Sequence, residues 1–439
     1  MKIIDKTYPI LLSLAAAFAL PACGDDDDGD DDGVTAADDG DDDDGDDGAD
    51  DGGGPAPGAL NCDVPSDRID PTAAMAWSSA DFAALGDNRS GNAGVGTQQT
   101  TASTRYVSAS NGDDGNDGSE GSPWRSLQHA ADAIEPGTTV RVDDSGDYTG
   151  GLELHRSGEA SAWFIFRPWD DDTMPRIVGD PGSTAVVDID ASYIVFQGFE
   201  VTDHDSGSLD ADTIGIQIEP RNGDITDVEI RNNVVHNIGP GQVDDDTCYY
   251  NGHGINAQSE GSSISRLVID GNEIFDLYVG NSEVLVVNGA VEGFCVTNNY
   301  VHDVNNIAID IIGYEKNANE TTRDGVISDN VVLDASNYWP YCSRGNCTYP
   351  AGDESSDGIY VDGGAKLAIE YNVVGRADHG IELQSENGEL IRDVEVAHNV
   401  VFNSNYKNFT LGDSENSTEH DNVFFDDPAL ADAELEGCK

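Results

Sequence analysis

The sequence predicts an all-β solenoid, in which short strands stack coil upon coil. Its first sign is a recurring tripeptide, an asparagine followed by two residues that include β-branched or aromatic types. The repeats begin at residues 199 (where Phe replaces Asn), 233, 272, 299, 330, 372, 399 and 422. The intervals between them run from 23 to 42 residues, which is typical of a solenoid whose insertions leave the coils as loops.

The second sign is the period of the hydrophobic residues. Alternating runs such as VEIRN, LVIDG and FCVTN precede the asparagines, and no helical pattern follows residue 136. We expect the asparagines to occupy the turns, because asparagine tolerates the left-handed conformation and stacked side chains can hydrogen-bond to one another. A polar residue also recurs shortly after each tripeptide, as at Asp203, Asn237 and Asp303.

A second strand type lies between the asparagines and usually begins with Gly-Ile. It occurs at Gly215, Gly254, Gly358 and Gly380, and as Ala308-Ile309 in one coil. The stretch from Gly358 to Gly380 is therefore one complete coil.

The chain enters the solenoid through residues 105–142. Ser122 and Pro123 are good residues to begin a short helix. Its apolar face would be formed by Leu127, Ala130, Ala131 and Ile134. Such a helix would close the open end of the core, which a solenoid requires.

On these residues, over roughly 105–426, the chain resembles the right-handed parallel β-helix of the pectin-lyase-like superfamily. The resemblance implies a domain over 104–430 of about 8–10 coils with a short N-terminal capping helix. Most enzymes of that superfamily cleave acidic polysaccharides. Its lyases use calcium to neutralise a uronate carboxylate and a Lys or Arg to remove the C5 proton. This chain lacks the arginine-proline signatures of the classical pectate lyases, so the resemblance does not fix a particular activity.

The first 22 residues have the pattern of an export signal, with a short apolar stretch that ends in Leu-Pro-Ala before Cys23. They resemble the lipobox of bacterial lipoproteins, which implies that Cys23 carries a lipid and anchors the protein in the outer membrane, exposed at the cell surface. Residues 23–54 follow as an expected disordered tether, with 17 aspartates and no basic residue between 24 and 54. We expect residues 55–103 to continue as a linker.

The charge of the chain limits its partners. The formal net charge is −64, and about −48 remains when residues 1–51 are left out. Such a surface does not attract nucleic acid or an anionic membrane face. It would also repel an acidic polysaccharide unless a divalent cation, here calcium, bridged the two. We expect a monomer whose only membrane contact is the lipid.

Six cysteines remain when Cys23 is assigned to the lipid. Cys342 and Cys347 bracket a four-residue loop and are expected to form a disulfide in an exported protein. The sequence leaves open how the other four pair: Cys62, Cys248, Cys295 and Cys438.

The outward residues of the Gly-Ile strands supply the candidate site. They form an expected column of Gln217, Asn256, Asp310, Tyr360 and Glu382, interrupted by Val287, and a second column of Glu219, Gln258, Asp362 and Gln384. Neighbouring coils would bring these side chains about 5 Å apart. We predict Asp310, Asp357, Asp362 and Glu382 as ligands of a hard cation. A polar, solvated face is the alternative.

Two insertions leave the coils at the same corner, over 239–254 and 336–358. Their aromatic residues suit the faces of sugar rings. The predicted substrate-binding residues are Tyr249, Tyr250, Tyr338, Trp339, Tyr341 and, on the strand, Tyr360. The predicted catalytic residues are Asp310 and Glu382 with Lys316 and Arg376 as bases.

These observations favour a surface-anchored carbohydrate-active protein, with calcium-assisted elimination on an acidic polysaccharide as the first hypothesis. A non-catalytic carbohydrate-binding or adhesion protein on the same scaffold is the second. The third is an inverting glycoside hydrolase, which needs two carboxyl groups about 6.5–9.5 Å apart.

Overall fold

The computed structural model describes residues 60, 62–90, 99–206, 211–239, 251–315, 321–336, 355–412 and 414–431. Within them the chain forms 29 strands, three α-helices and one short 3-10 helix at Pro428–Leu430. Every ladder between the named strands is parallel, and each strand pairs with the strand at the same position of the next coil. The fold is the right-handed parallel β-helix that the sequence predicts.

Three columns of strands run along the solenoid, two of which share long strands and so form one 19-stranded sheet. The column that we call the front face carries the Gly-Ile strands. Its strands are β4 (Leu152–Leu154), β7 (Ala185–Ile189), β10 (Thr213–Ile218), the first part of β13 (Gly252–Asp270), the first part of β15 (Leu285–Thr297), β17 (Ile309–Ile312), β20 (Asp357–Asp362), β23 (His379–Leu383) and β26 (Lys407–Leu411).

The second column, the side face, begins at the N-terminal cap. Its strands are β1 (Ser103–Val107), β2 (Thr138–Val142), β5 (Phe164–Pro168), β8 (Ile194–Gln197), β11 (Ile225–Arg231), the second parts of β13 and β15, β18 (Arg323–Ser328), β21 (Ala365–Glu370), β24 (Ile391–Ala397), β27 (Ser414–Glu415) and β28 (Thr418–His420).

The third column, the ladder face, is a separate sheet of ten strands, one for each coil. Its strands are β3 (Tyr148–Thr149), β6 (Arg176–Val178), β9 (Glu200–His204), β12 (Val234–Ile238), β14 (Glu273–Leu277), β16 (Tyr300–Val304), β19 (Val331–Ala335), β22 (Val373–Gly375), β25 (Val400–Phe402) and β29 (Val423–Phe425). Ten coils agree with the predicted number.

The inward residues of the front face form one continuous apolar column. It consists of Ile216, Ile255, Leu285, Ile309, Ile359 and Ile381, all fully buried and in register from strand to strand. Burying a side chain of this size contributes about 1.5–3 kcal/mol, so stacked coils gain what a single coil cannot. The glycine before Ile359 leaves room for the core, since a Cβ on Gly358 would lie 2.3 Å from Val374 Cγ1.

The predicted asparagine stack is confirmed. Its members are Asn233, Asn272, Asn299, Asn330, Asn372, Asn399 and Asn422, and each side-chain amide donates to the next asparagine Oδ1 at 2.9–3.0 Å. The same Oδ1 accepts from the backbone N–H of the preceding asparagine in the stack, as in the 3.0 Å bond from Asn299 N to Asn330 Oδ1. The seven consecutive coils that carry these asparagines are therefore tied to one another by hydrogen bonds, most of them buried.

The sequence analysis expects the asparagines themselves to adopt the left-handed conformation, and this expectation is wrong by one position in the chain. The left-handed residue is the one that precedes the asparagine, as at Asn298 (φ 55°) and Asp329 (φ 58°). The recurring polar residue after each tripeptide is also left-handed, as at Asp203, Asp303 and Asp334. Asn and Asp suit both positions, before the asparagine and after the tripeptide, because they adopt positive φ at lower cost than most residues.

The predicted capping helix is present, but it begins later in the chain than Ser122 and Pro123. Helix α3 spans Leu127–Ala133, and its N-cap is Ser126, whose Oγ accepts from the backbone N–H of His129. Ser122 lies instead in a short antiparallel bridge with Ser119. The apolar residues of the helix and Ile134 belong to the main core, as predicted.

The expectation of a linker over 55–103 is wrong for residues 62–90. They form helices α1 (Pro71–Ala74) and α2 (Ser79–Ser90), which pack on the ladder face. Phe82 is fully buried, and its ring stacks on that of Phe402 at 4.5 Å between centroids. A disulfide joins Cys62 to Cys295. We call residues 62–90 the N-terminal strap.

Candidate functional site

The outward side chains of the front face form a column that the strand register defines. From the N-terminal side it contains Asp188, Gln217, Asn256, Val286, Asp310, Tyr360, Glu382 and Thr410. The interruption falls at Val286, whereas the sequence analysis places it at Val287, which points into the core. Asp310 and Glu382 therefore lie on either side of Tyr360, two strand spacings or about 10 Å apart along the solenoid.

The second outward column also differs from the prediction. Gln258, Asn288, Ile312 and Asp362 occupy successive strands, so an amide and an isoleucine lie between the two predicted residues. The carboxylate of Asp362 accepts from the backbone N–H of Glu386 at 2.5 Å and from Asn387 Nδ2 at 3.0 Å. Asp362 is therefore held by the loop that follows β23.

A third column lies about three residues earlier on the same strands. It contains Asp357, His379 and Lys407, which are paired in register at the start of β20, β23 and β26. His379 Nδ1 lies 2.6 Å from Glu382 Oε2, and both side chains are about 15 % exposed. Ligand atoms from Asp357, His379 and Glu382 all lie within 4.8 Å of one another. That spacing permits three side chains to bind one metal ion.

Asp310 lies on β17, the strand that pairs with β20, and it interacts electrostatically with Asp357. It is 2 % exposed, and its Oδ1 is buried without a hydrogen-bond donor among the described residues, as is Asp357 Oδ1. A buried carboxylate oxygen without a donor is costly, unless the group is protonated or binds a cation. We call Asp310, Asp357, His379 and Glu382 the acidic site.

Burial and mutual repulsion raise the pKa of most carboxyls here. Burial, and then the charge of Glu283, raises the pKa of Asp310 well above its usual value. Burial, and then Glu382, does the same to the pKa of Asp357. Around them, burial and like charges raise the pKa of Glu283 to about 8 and that of Asp362 to about 6.

Glu382 is the exception. Burial opposes its ionisation, but the hydrogen bond and charge of His379 outweigh burial and lower the pKa of Glu382. The acidic site thus combines a carboxyl whose pKa is lowered with carboxyls whose pKa values are raised. A divalent cation would favour ionisation of all of them, and oxygen donors of this kind are those that calcium prefers. The residues present therefore fit a hard cation.

Two of the predicted site residues have other roles in the structure. Arg376 lies at the end of β22 on the ladder face, where its Nε and Nη2 form a two-pronged ion pair with Asp334 at 2.6 and 2.5 Å. Tyr360 is only 7 % exposed, and its hydroxyl donates to the backbone oxygen of Gln384 at 2.6 Å. A packed ring of this kind has no open face for a sugar.

The remaining predictions lie outside the described residues. They are the signal segment 1–22, the lipid site Cys23, the tether 23–54, the loop aromatics Tyr249, Tyr250, Tyr338, Trp339 and Tyr341, the base Lys316, and the disulfide Cys342–Cys347. Of the four cysteines left open, the structure pairs Cys62 with Cys295.

Sequence reasoning missed His379, Glu283 and Lys407. A signal existed for His379, because it precedes a Gly-Ile pair just as Asp357 does. Aligning the coils on those pairs places both in one column. Glu283 precedes Val284-Leu285, a coil without the glycine, so the same alignment does not find it.

No family model matches the chain. It is 34 % identical over 315 residues to the uncharacterized protein YwoF of Bacillus subtilis (strain 168), an alignment that covers 70 % of this chain. The chain spans 64 % of the length of that relative.

Solved structures with a similar fold include two carbohydrate-related proteins. The GH136 lacto-N-biosidase from Eubacterium ramulus is 13 % identical with a TM-score of 0.48, over 73 % of this chain and 67 % of that one. The alginate lyase from Paenibacillus sp. str. FPU-7 is 16 % identical with a TM-score of 0.43, over 71 % of this chain and 99 % of that one. Likenesses of this strength are too weak to assign an activity.

Among the described residues no helix has the length and apolar character needed to cross a membrane.

Proposed function

We propose that the protein is a calcium-dependent lyase that acts on an acidic polysaccharide at the acidic site. The observation that carries the proposal is the pair of buried carboxyls Asp310 and Asp357, each with one oxygen that has no donor among the described residues, close to Glu382, whose pKa is lowered. When all of these buried carboxyls are ionised, the cluster is stable only if a cation neutralises their charge.

Asp357 and Glu382, whose ligand atoms lie within 4.8 Å of each other, would hold the calcium through their oxygens. His379 Nδ1 lies 2.6 Å from Glu382 Oε2 and so positions that carboxylate, as the hydrogen-bonded partners of metal ligands commonly do. Bound there, calcium would neutralise a uronate carboxylate and so make the adjacent C5 proton more acidic. The net negative charge of the chain also makes a bridging cation necessary for a polyanionic substrate.

Lys407 is the residue that we assign to proton removal. It is the strand partner of His379 on the next coil. In the proposed elimination the unprotonated amine of Lys407 takes the C5 proton, and the electron pair of the C5–H bond forms the C4–C5 double bond. The C4–O bond breaks with its electron pair on the glycosidic oxygen, which takes a proton from water. Lys407 replaces Arg376 in this role, because Arg376 is committed to Asp334.

The test is an assay on polygalacturonate, alginate and glycosaminoglycans with and without calcium, which follows the ultraviolet absorbance of unsaturated products. We expect product from one of them only with calcium. Asp357→Asn, Glu382→Gln and Lys407→Met should each lower the rate at least about 100-fold. The matched controls are Glu395→Gln and Lys366→Met, whose side chains are 60 % and 61 % exposed on the side face. No unsaturated product from any polyuronate or glycosaminoglycan would refute the proposal.

An inverting hydrolase is the second candidate, favoured by the contrast between Asp310 and Glu382. The environment raises the pKa of Asp310 and lowers that of Glu382, and a pair of carboxyls with pKa values shifted apart suits a general acid and a general base. Their separation of two strand spacings, about 10 Å, is close to the range for inverting enzymes. New reducing ends without unsaturated product, and inversion at the anomeric carbon by NMR, would identify this reaction instead.

Carbohydrate binding without catalysis is the third candidate, and binding without any product would identify it.

We further propose that the protein is anchored at the bacterial cell surface through a lipid on Cys23. Mass spectrometry of the N-terminal peptide and protease treatment of intact cells test this anchoring. A peptide that continues uncleaved through residue 22 without lipid would contradict it.

A further inference from the structure

A cleft of about 460 Å³ lies on the front face, on the N-terminal side of the acidic site. This volume is within the range of pockets that bind small molecules. Its walls include the outward residues Asp188, Gln217, Asn256 and Gln258 of β7, β10 and β13. The cleft therefore continues the column that leads to Asp310.

Three of the residues that line the cleft carry side-chain amides, Gln217, Asn256 and Gln258. Asn256 is 2 % exposed, and its Nδ2 makes only long contacts with Gln217 Oε1 at 3.3 Å and Gln258 Oε1 at 3.4 Å. Its Oδ1 is buried and has no hydrogen-bond donor among the described residues. A buried amide oxygen without a donor, at the wall of an open cleft, is suited to accept from a ligand hydroxyl.

The charges of the cleft exclude an anion. Arg221 is the single basic residue among the described lining residues, and it is already paired with Asp188 and Glu219. Asp188 Oδ2 also lies 2.9 Å from His155 Nε2. With Glu153 and Asp212 on the walls as well, the cleft offers acceptors and amides and keeps a negative excess. A carboxylate would be repelled there.

Val286 separates the cleft from the acidic site. It is 2 % exposed and lies between Asn256 and Asp310 in the column, so no polar side chain joins the two regions at that position. Strand spacing places Asn256 about 10 Å and Gln217 about 14 Å from Asp310 along the solenoid. A glycan that runs along the axis would meet two chemically different surfaces.

We infer that this cleft binds uncharged sugar residues through their hydroxyl groups, and that the natural substrate is a mixed glycan in which neutral sugars adjoin an acidic one. The second part rests on the proposed function, which puts the acidic sugar at Asp310. The first part depends only on the cleft.

The experiment is calorimetric titration of the full chain, without calcium, with the hexasaccharides of cellulose, xylan, mannan and chitin and with hexagalacturonate. We expect at least one neutral hexasaccharide to bind and hexagalacturonate not to bind. Asn256→Ala and Gln258→Ala should each weaken that binding about tenfold. Thr418→Ala, an exposed side chain on the last coil, should leave it unchanged. Thermal melting of each variant separates lost contacts from lost folding, and Gln258 is the safer site because it is only partly buried.

The outcomes separate this inference from the proposed function. Neutral binding that depends on Asn256 or Gln258 supports the cleft even if no unsaturated product is ever formed. If no neutral hexasaccharide binds, or if the folded variants bind as well as the wild type, the inference is overturned. Cleavage of a pure polyuronate by the folded cleft variants at the wild-type rate, together with absent neutral binding, would overturn it while sustaining the proposed function.

Discussion

His379 Nδ1 lies 2.6 Å from Glu382 Oε2, at the centre of the acidic site. This contact lowers the pKa of Glu382 in a place where burial raises the pKa of its neighbours Asp310 and Asp357. Asp357 and Glu382 are both among the ligands that the sequence predicts.

We therefore expect His379→Gln to weaken calcium binding about 10–100-fold, because partners behind metal ligands have effects of this size. Calorimetry measures the affinity. His420→Gln is the matched control, since His420 is 44 % exposed on the last coil. Equal calcium affinity in His379→Gln and wild type would show that the contact has no part in binding.

The asparagine stack gives a prediction about stability. Asn330→Ala removes the donor to Asn372 Oδ1 and Val296 O, and it removes the acceptor for Asn299. Each buried polar group left without a partner costs about 1–3 kcal/mol, so we expect a loss of at least about 3 kcal/mol in the free energy of unfolding. Urea denaturation measures it. Asn422→Ala, at the partly exposed end of the stack, should cost less, and equal losses would contradict this account.

The ladder face carries a histidine whose protonated form the fold stabilises. Burial opposes the charge on His302, but hydrogen bonds to Asp303 and Glu273 outweigh it and raise the pKa to about 9. Since the folded pKa lies above the ordinary value of 6.5, the stabilisation is fully present below about pH 6.5 and is lost as pH rises through 9.

His302→Gln should therefore lower the free energy of unfolding by up to about 3 kcal/mol at pH 6. The difference from wild type should shrink toward zero as the pH approaches 10. Urea denaturation across this range measures it, and a difference that does not depend on pH would refute the assigned pKa.

Arg376 gives a prediction that separates structure from catalysis. Removing one partner of a buried ion pair typically costs about 3–5 kcal/mol, because the other charge remains buried. Arg376→Met should therefore destabilise the fold by that amount and leave calcium affinity unchanged in the folded protein. Urea denaturation and calorimetry measure the two. If the variant had normal stability and failed to bind calcium, the result would show that Arg376 contributes to the calcium site.

The sequence predicted the repeating parts of this molecule well, because stacking imposes period and register on every coil. Asn330 and Ile359 recur in fixed positions, and Asp310, Tyr360 and Glu382 were aligned correctly from the Gly-Ile strands. Val287 was misplaced because its coil lacks the glycine that marks the start of the strand, and a shift of one residue reverses inside and outside.

The non-repeating parts were not predictable in this way. The N-terminal strap has an alanine- and serine-rich composition that is typical of a linker, and its fold depends on contacts with distant residues such as Phe402 and Cys295. The sequence predicts Arg376 as a base because a single basic residue carries no sign of its partner. Asp334, 42 residues earlier, becomes its neighbour only when the coils stack.

Calorimetric titration of the full chain with calcium tests the central claim most directly, with wild type compared with Asp357→Asn and Glu382→Gln. The aspartates of residues 24–54 are common to all three chains, so any loose binding there cancels in the comparison. We predict one site in the wild type with a dissociation constant below about 1 mM, lost in both variants. Identical titrations for the three folded proteins would contradict a calcium site at Asp357 and Glu382.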